Sequence, residues 1–190
     1  MCLIVFAWQV IPGVPLIAAA NRDEFYDRPA TAADNWPEAP HVIAGRDLKA
    51  GGTWMGVAQE GPGGARFAAI TNIRGPQERR ADAPSRGALV ADYLAGDMSA
   101  QDYIAYIADG CDAYNGFNLV LGDRNSLYWF SNRGAADLRN GKQLEPGIYG
   151  LSNGLLDAPW PKVVRTKAQF ASLLCQGAPE DAYFEMLADT

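Results

Sequence analysis

The start of the chain is apolar and turns back on itself. Residues 2–20 are rich in Val, Ile, Leu, Phe and Trp, and Pro12-Gly13-Val14-Pro15 interrupts them. Proline and glycine between two apolar runs mark a turn between strands. The pattern therefore predicts a buried hairpin with strands at residues 2–10 and 15–20.

A secretory signal is the alternative for the same residues, because Ala18-Ala19-Ala20 has the small side chains of a cleavage site. Such a signal needs a positively charged start and an unbroken apolar stretch. No Lys or Arg precedes Arg22, and Gln9 and the two prolines break the stretch. These features favour the hairpin, and with it a location in the cytoplasm.

Cys2 follows the initiator methionine, so removal of Met1 would place a thiol and a free α-amine on one residue. An α-amino group titrates near ~7.7–8.0 and a cysteine thiol near ~8.5, so the amine can accept the thiol proton at neutral pH. The position predicts an N-terminal nucleophile of the kind that hydrolyses amides.

Four polar residues, Asn21-Arg22-Asp23-Glu24, follow the second strand of the hairpin. The hairpin brings Arg22 and Asp23 close to Cys2, where a guanidinium favours a thiolate and a carboxylate orients an α-ammonium group. The alternative is an ordinary polar turn whose side chains cap the next segment and pair with one another. The spacing leaves both interpretations open.

Composition limits the class of protein and the kind of partner. The 190 residues, 48% of them hydrophobic and 20% charged, are enough for one domain with a core. The net charge is −6 and no Lys/Arg cluster exceeds Arg79-Arg80, which argues against nucleic acid or an anionic membrane as a partner. We expect a small-molecule ligand, no membrane insertion, and free thiols at Cys2, Cys111 and Cys175. The sequence does not indicate an oligomeric state.

Short apolar runs bounded by Gly, Asn or Pro alternate with a few stretches of helical periodicity, which predicts an α+β fold. Beyond the hairpin, the expected strands are residues 53–59, 67–72, 117–122, 127–132 and 148–152. The expected helices are residues 85–95, 99–109, 163–176 and 180–188.

Three further segments carry polar groups at the start or end of a strand. In Gly51-Gly52-Thr53-Trp54, the backbone amides and the Thr53 hydroxyl could face an oxyanion, but the pattern favours a plain glycine turn entering a core strand. Asn72 and Asn153 each end a predicted strand, where an amide suits an oxyanion donor but is also a common turn former. His41 is the only histidine, so a histidine-based triad or metal site has little to draw on.

Taken together, several motifs in this order resemble the NRDE, or Tango-like, family. The resemblance spans residue 2 to about residue 165. The motifs are Met1-Cys2, Asn21-Arg22-Asp23-Glu24-Phe25, Arg28-Pro29, Gly51-Gly52-Thr53-Trp54, Thr71-Asn72, Ser85-Arg86-Gly87, Tyr114-Asn115-Gly116-Phe117-Asn118-Leu119, Ser131-Asn132-Arg133-Gly134, Gly150-Leu151-Ser152-Asn153 and Pro159-Trp160.

The resemblance implies the four-layer αββα sandwich of N-terminal-nucleophile hydrolases. Its catalytic residues would be Cys2, Arg22, Asp23 and Asn153, with Cys2 as nucleophile and Asn153 as oxyanion donor. Asn21, Thr53, Trp54 and Asn72 would be binding residues. No metal and no cofactor are expected for this activity.

The family usually continues for several tens of residues with a Tyr-Gly-Thr-Arg segment, so we expect a domain shortened at its C-terminal end, lacking some strands. The expected reaction is hydrolysis of a small amide with an apolar acyl group. The alternative that the family implies is a non-enzymatic carrier of haem or of an acyl lipid.

Overall fold

The computed structural model describes residues 2–22, 24–75 and 80–188, which divide into two compact units. One unit combines both ends of the chain, Met1–Glu24 and Glu145–Thr190, and the other is Phe25–Leu144. Each unit contains an antiparallel sheet and a pair of helices. This arrangement confirms the α+β class, while the organisation as one shortened domain stays a prediction.

The terminal unit is built on a three-stranded antiparallel sheet in the order β10-β1-β2. Its strands are β1 (Leu3–Ile11), β2 (Val14–Asn21) and β10 (Gly147–Leu151). Gly13, with a φ of +79°, provides the turn between β1 and β2, since glycine reaches this conformation without strain. The hairpin that the sequence predicts is confirmed, and β1 is the central strand of the sheet.

Helices α3 (Pro161–Gln176) and α4 (Glu180–Ala188) cover one face of this sheet. Leu3, Val5 and Ala7 of β1 pack against Val163 and Phe170 of α3. The alternate residues Ile4, Phe6 and Trp8 project to the opposite face and are also fully buried. Both faces of β1 are therefore shielded from solvent, which explains its continuous apolar sequence.

The second unit is built on a seven-stranded antiparallel sheet whose strands lie in chain order, β3 to β9. Helices α1 and α2 pack on one face through a core that includes Val90, Leu94, Ile104, Leu119 and Leu121. Its elements are β3 (Ala30–Trp36), β4 (Ala39–Asp47), β5 (Met55–Gly61), β6 (Gly64–Asn72), α1 (Gly87–Ala95), α2 (Ala100–Ala108), a 3₁₀ turn (Cys111–Ala113), β7 (Phe117–Asp123), β8 (Leu127–Ser131) and β9 (Lys142–Gln143).

All four helices occur where periodicity predicts them, and local signals set their ends. The Ser99 hydroxyl accepts a hydrogen bond from the Asp102 amide at the start of α2, as the capping-box spacing predicts. Pro161 occupies the first turn of α3, where its missing N–H costs nothing. Gly177 ends α3 in the left-handed conformation, with a φ of +59°.

Strands β3 and β4 are absent from the sequence prediction. β3 reads Ala-Thr-Ala-Ala-Asp-Asn-Trp, and every residue before Trp36 is exposed, so it shows no apolar alternation. It is held by backbone pairing with β4, for example Ala30 opposite Asp47. Backbone pairing leaves little trace in side-chain composition even between adjoining strands, because it uses groups that every residue has.

Within the described ranges, no helix is both long and apolar enough to cross a membrane.

The packing of α3 on β1 gives the first prediction. Phe170 is fully buried (0% exposed), whereas Phe184 on α4 is 70% exposed. Phe170→Ala should lower the free energy of unfolding by about 3–5 kcal/mol because it leaves a cavity in the core. Phe184→Ala should change it by less than about 0.5 kcal/mol. Urea denaturation followed by circular dichroism measures both, and equal losses would contradict the core described above.

Candidate functional site

Strand register brings three of the proposed catalytic residues to one end of the three-stranded sheet. Leu3 pairs with Asn21 of β2, and Ile4 pairs with both Leu151 of β10 and Ala20 of β2. Cys2 and Arg22 each lie one residue beyond the Leu3–Asn21 pair, and Asn153 lies two residues beyond Leu151, the last paired residue of β10. The sequence alone predicted that Arg22 lies near Cys2. That Asn153 also lies near this end of the sheet depends on the pairing of β10 with β1.

Alternation along β1 relates Cys2 to one face of the sheet, whereas Arg22 and Asn153 lie beyond the paired residues of β2 and β10. Directly paired residues of an antiparallel sheet project to the same side, as the stacked rings of Phe6 and Tyr149 show with a centroid distance of 5.3 Å. By this alternation Cys2 shares the face of Ile4, which is opposite the face covered by α3 and α4. Cys2 is half-buried and Asn153 is buried.

Arg22 lies immediately after β2 with a side chain that is 25% exposed. Its Nη2 donates to Oε2 of Glu24 at 2.8 Å. A neighbouring carboxylate thus holds the guanidinium group at the strand end, in line with the idea of a turn whose side chains pair with one another. Asp23, between the two, lies outside the described residues, as does Met1.

Asn21 projects to the opposite side from Cys2. It pairs with Leu3, whose side chain packs in the core beneath α3 and α4. Asn21 Nδ2 donates to the backbone oxygen of Leu187 near the end of α4, at 2.7 Å. This bond ties the strand to the helix layer, and a role for Asn21 in binding a ligand stays a prediction.

Two residues that sequence reasoning did not assign to the site contact the backbone of Cys2. Ser152 Oγ donates to the Cys2 carbonyl oxygen at 2.6 Å, and Lys162 Nζ lies 3.3 Å from the same oxygen. Ser152 was visible in the sequence only as a hydroxyl residue before Asn153. Nothing in the sequence pattern connected Lys162 to Cys2, because the start of α3 reaches the chain start only in the folded structure.

The turn that carries Asn153 is anchored to β10 by Asp157. The Asp157 amide donates to the Gly150 carbonyl at 2.8 Å, and Asp157 Oδ1 accepts from the Gly150 amide at 3.0 Å. Lys167 of α3 donates to the same carboxylate oxygen at 2.5 Å. There is no room for a side chain at Gly150, because a Cβ atom there would lie 2.7 Å from Cγ1 of Val163. The position of Asn153 therefore depends on strand, turn and helix together.

The remaining proposed binding residues belong to the seven-stranded unit. The buried Thr53 hydroxyl donates to the Met55 carbonyl at 3.2 Å, and the partly buried Trp54 packs against the core. Asn72 ends β6 and is exposed. The contact of Thr53 with its own strand agrees with the alternative of a glycine turn entering a core strand. Ligand binding by Thr53, Trp54 and Asn72 stays a prediction.

Two motifs that are far apart in sequence meet beside Thr53. The Thr53 amide donates to the Gly87 carbonyl at 3.2 Å. A Cβ on Gly52 would lie 2.2 Å from the Gly87 carbonyl carbon, closer than any side chain tolerates. Gly52 of the first motif is therefore required for this close approach to Gly87 of the second, at the start of α1.

Asp47 organises the loop that precedes these glycines. Its Oδ2 accepts from Arg28 Nη2 at 2.5 Å and from Arg28 Nε at 2.9 Å, while Oδ1 accepts from the amides of Lys49 and Ala50. Burial acts against ionisation of this carboxyl group. The hydrogen bonds from Arg28 and the two amides outweigh burial and hold the pKa of Asp47 below its ordinary value.

Within residues 2–22, 24–75 and 80–188, no group of three or more His, Cys, Asp or Glu side chains is placed to hold a metal ion. Cys2, Cys111 and Cys175 are free thiols. Burial beside Asp112 raises the pKa of Cys111.

Fold and site define an α+β protein built on antiparallel sheets, with a cysteine at the chain start beside the ends of two strands. The sequence profile of the Transport and Golgi organisation 2 family matches residues 1–190, and the chain belongs to this family. The family resemblance predicted from the motifs is thereby confirmed.

Several animal relatives are similar over almost the whole chain. Transport and Golgi organization protein 2 homolog of Bos taurus is 39% identical over 201 residues, which cover 98% of this chain and 70% of the cattle protein. The Mus musculus homolog is 36% identical, over 100% of this chain and 71% of its own length. Transport and Golgi organization protein 2 of Drosophila melanogaster is 32% identical, over 92% and 65%.

The Asp47 contacts give a pH-dependent prediction. Asp47→Asn should lower the free energy of unfolding by about 1–2 kcal/mol at pH 7. A carboxyl group whose pKa is lowered by folding stabilises the protein above its unfolded pKa, and this contribution is lost as pH falls through the folded pKa. The difference in free energy of unfolding between wild type and Asp47→Asn should therefore have its full value at pH 6–7 and become smaller as pH falls below about 4.

Urea denaturation of wild type and variant across this range measures the deficit. Asp27→Asn is the matched control, because Asp27 is an exposed aspartate in the connection between β2 and β3, next to Arg28. A deficit for Asp47→Asn that is equal at pH 3 and pH 7 would contradict an ionised, hydrogen-bonded Asp47.

Proposed function

We propose that this protein is a cysteine N-terminal-nucleophile amidohydrolase that acts on a small amide with an apolar acyl group. The observation that supports the proposal is the strand register, which brings the start of β1, directly after Cys2, beside the ends of β2 and β10, from which Arg22 and Asn153 follow. A nucleophile, a cation and a buried amide donor at one strand end are the groups that amide hydrolysis through a thioester needs.

We also propose the four-layer αββα sandwich as the fold. Each unit contributes a helix pair packed on one face of an antiparallel sheet. The faces of both sheets that project away from these helices also carry fully buried side chains, among them Phe6 and Trp8 in one sheet and Val120 and Trp129 in the other. The two inner layers of an αββα sandwich are sheets whose faces are both buried, so this burial supports the proposed fold.

The reaction begins after Met1 has been removed. The α-amine of Cys2 takes the thiol proton, and the thiolate attacks the carbonyl carbon of the amide. The negative charge that develops on the carbonyl oxygen is stabilised by hydrogen bonds from Asn153 Nδ2 and backbone amides. Collapse of this intermediate breaks the C–N bond, and the leaving amine takes the proton from the α-ammonium group.

Water completes the cycle. The α-amine, again neutral, accepts a proton from a water molecule that attacks the thioester carbonyl. The carboxylic acid leaves and the thiol is restored, so the net reaction is addition of one water across the amide bond. Arg22 stabilises negative charge on the thiolate in both halves of the cycle.

An apolar acyl group suits the surroundings of Cys2 on its face of the sheet. The next residues on that face, Ile4 and its partner Leu151, are apolar and fully buried.

Exchange of the nucleophile tests the proposal. Cys2→Ala should reduce release of product from a set of acyl amides by at least about a thousandfold, because no thioester can form. Circular dichroism and the melting temperature should stay close to those of wild type. Cys175→Ala is the matched control, since Cys175 is an exposed thiol at the end of α3, and its activity should stay within about twofold.

Intact mass of the protein should show loss of Met1, because a retained methionine leaves no free amine on Cys2. Absence of any Cys2-dependent hydrolysis across the amide set would contradict the hydrolase. Stoichiometric binding of haem or an acyl lipid that persists in Cys2→Ala would then support the carrier that the family resemblance offers as the alternative.

A further inference from the structure

The backbone carbonyl of Cys2 is held by two side chains at once. Ser152 Oγ donates to it at 2.6 Å and Lys162 Nζ approaches to 3.3 Å. A carbonyl oxygen has two lone pairs, so these two donors use its full accepting capacity. We call this pair, Ser152 and Lys162, the carbonyl clamp.

Both members of the carbonyl clamp belong to well-anchored segments. Ser152 directly follows β10 and is 2% exposed. Lys162 lies in the first turn of α3, next to Pro161, and its Nζ is 5.4 Å from the ring centroid of Trp160. Side chains whose positions are set by a strand and a helix can fix a third group within a narrow range of geometry.

The carbonyl clamp holds Cys2, the residue whose order matters most for the proposed reaction. Once Met1 is removed, Cys2 is the first residue, and the first residues of a chain are poorly ordered unless other contacts hold them. Fixing its carbonyl group holds the peptide plane between Cys2 and Leu3 and the Cα atom of Cys2, so that only rotations about the Cα–C and Cα–Cβ bonds remain to place the α-amine and the thiol. Ordering reactive groups in this way accounts for a large part of many enzymatic rate enhancements.

Lys162 adds a charge to this geometry. Its ammonium group lies beside a residue whose α-amine must stay neutral to accept the thiol proton. A nearby like charge disfavours protonation of an amine. The same side chain therefore serves both to orient the N-terminal residue and to keep its amine available as a base.

We infer that Ser152 and Lys162 are positioning residues for the N-terminal nucleophile, and that Lys162 also keeps the α-amine of Cys2 in its basic form. This inference rests on the proposed function, since it concerns the same nucleophile. Neither residue touches the reacting carbonyl in this scheme, and both act through Cys2.

The test uses the full chain made as a fusion whose leader a protease removes to leave cysteine as the first residue. Cys2 is then N-terminal in every variant, whether or not a cell removes Met1. Lys162→Arg keeps donor and charge, Lys162→Gln keeps a donor without charge, Lys162→Met removes both, and Ser152→Ala removes the other donor. Lys49→Met, at an exposed position, is the control.

Two measurements need no substrate. Iodoacetamide labelling at pH 7, read by peptide mass spectrometry, gives the rate at Cys2 relative to the exposed Cys175 of the same molecule. Nuclear magnetic resonance of ¹³Cα-labelled cysteine follows the α-amine of Cys2 as pH changes, with Cys111 and Cys175 as internal references.

Lys162→Met should slow relative labelling of Cys2 about tenfold, the effect expected from one hydrogen bond with a charged donor. Ser152→Ala should slow it about threefold to tenfold, and Lys162→Arg and Lys49→Met by less than about threefold. The pH midpoint of the Cα signal should rise by roughly one unit in Lys162→Met and Lys162→Gln and stay unchanged in Lys162→Arg. A purely structural Lys162 would change the melting temperature without moving this midpoint.

Labelling rate and midpoint equal to wild type in both Lys162→Met and Ser152→Ala would overturn the inference. A midpoint that is unchanged in Lys162→Gln while labelling slows would overturn the electrostatic part alone. A wild-type protein that hydrolyses no amide, but shows these shifts, would overturn the proposed function and support the clamp.

Discussion

Pairing of β1 with a neighbour on each side is the constraint on which the rest of the terminal unit depends. β2 follows β1 through a tight turn, whereas β10 comes from nearly 150 residues downstream. A shift of one residue in either ladder would move every side chain to the opposite face. The register observed brings the segments that carry Cys2, Arg22 and Asn153 to one end of the sheet and turns Leu3, Val5 and Asn21 toward the helices. The candidate site and the core beneath the helices therefore both depend on the register of β1 with β2 and β10.

The groups around Cys2 are supported by a second set of contacts that have no direct part in the proposed chemistry. Asp157 joins the Asn153 turn to Gly150 and to Lys167, and the carbonyl clamp joins the first residue to the segments on either side of that turn. Because α3 carries both Lys162 and Lys167, its packing through Phe170 on β1 also bears on the site. Stability of the core and the geometry around Cys2 are therefore coupled in this unit.

Local patterns were sufficient for elements whose signals lie within a few residues. The Pro12–Gly13 turn, the Ser99 cap and the Gly177 stop were each predicted from neighbouring residues and are present. β3 was missed because its exposed, alanine-rich sequence resembles a loop until β4 pairs with it. Asn21 shows the limit for side chains, since its place in a polar motif beside Cys2 did not indicate that it would face α4.

By itself the sequence determined the α+β class, the family, the apolar hairpin and the presence of a cysteine directly after the initiator methionine. These follow from composition, periodicity and motif order, which are properties of neighbouring residues. Only the tertiary structure decided that the end of β10 lies beside the start of β1, and that Ser152 and Lys162 bind the carbonyl group of Cys2. Such contacts join residues about 150 positions apart, and they arise from strand register and helix packing, which no local pattern encodes.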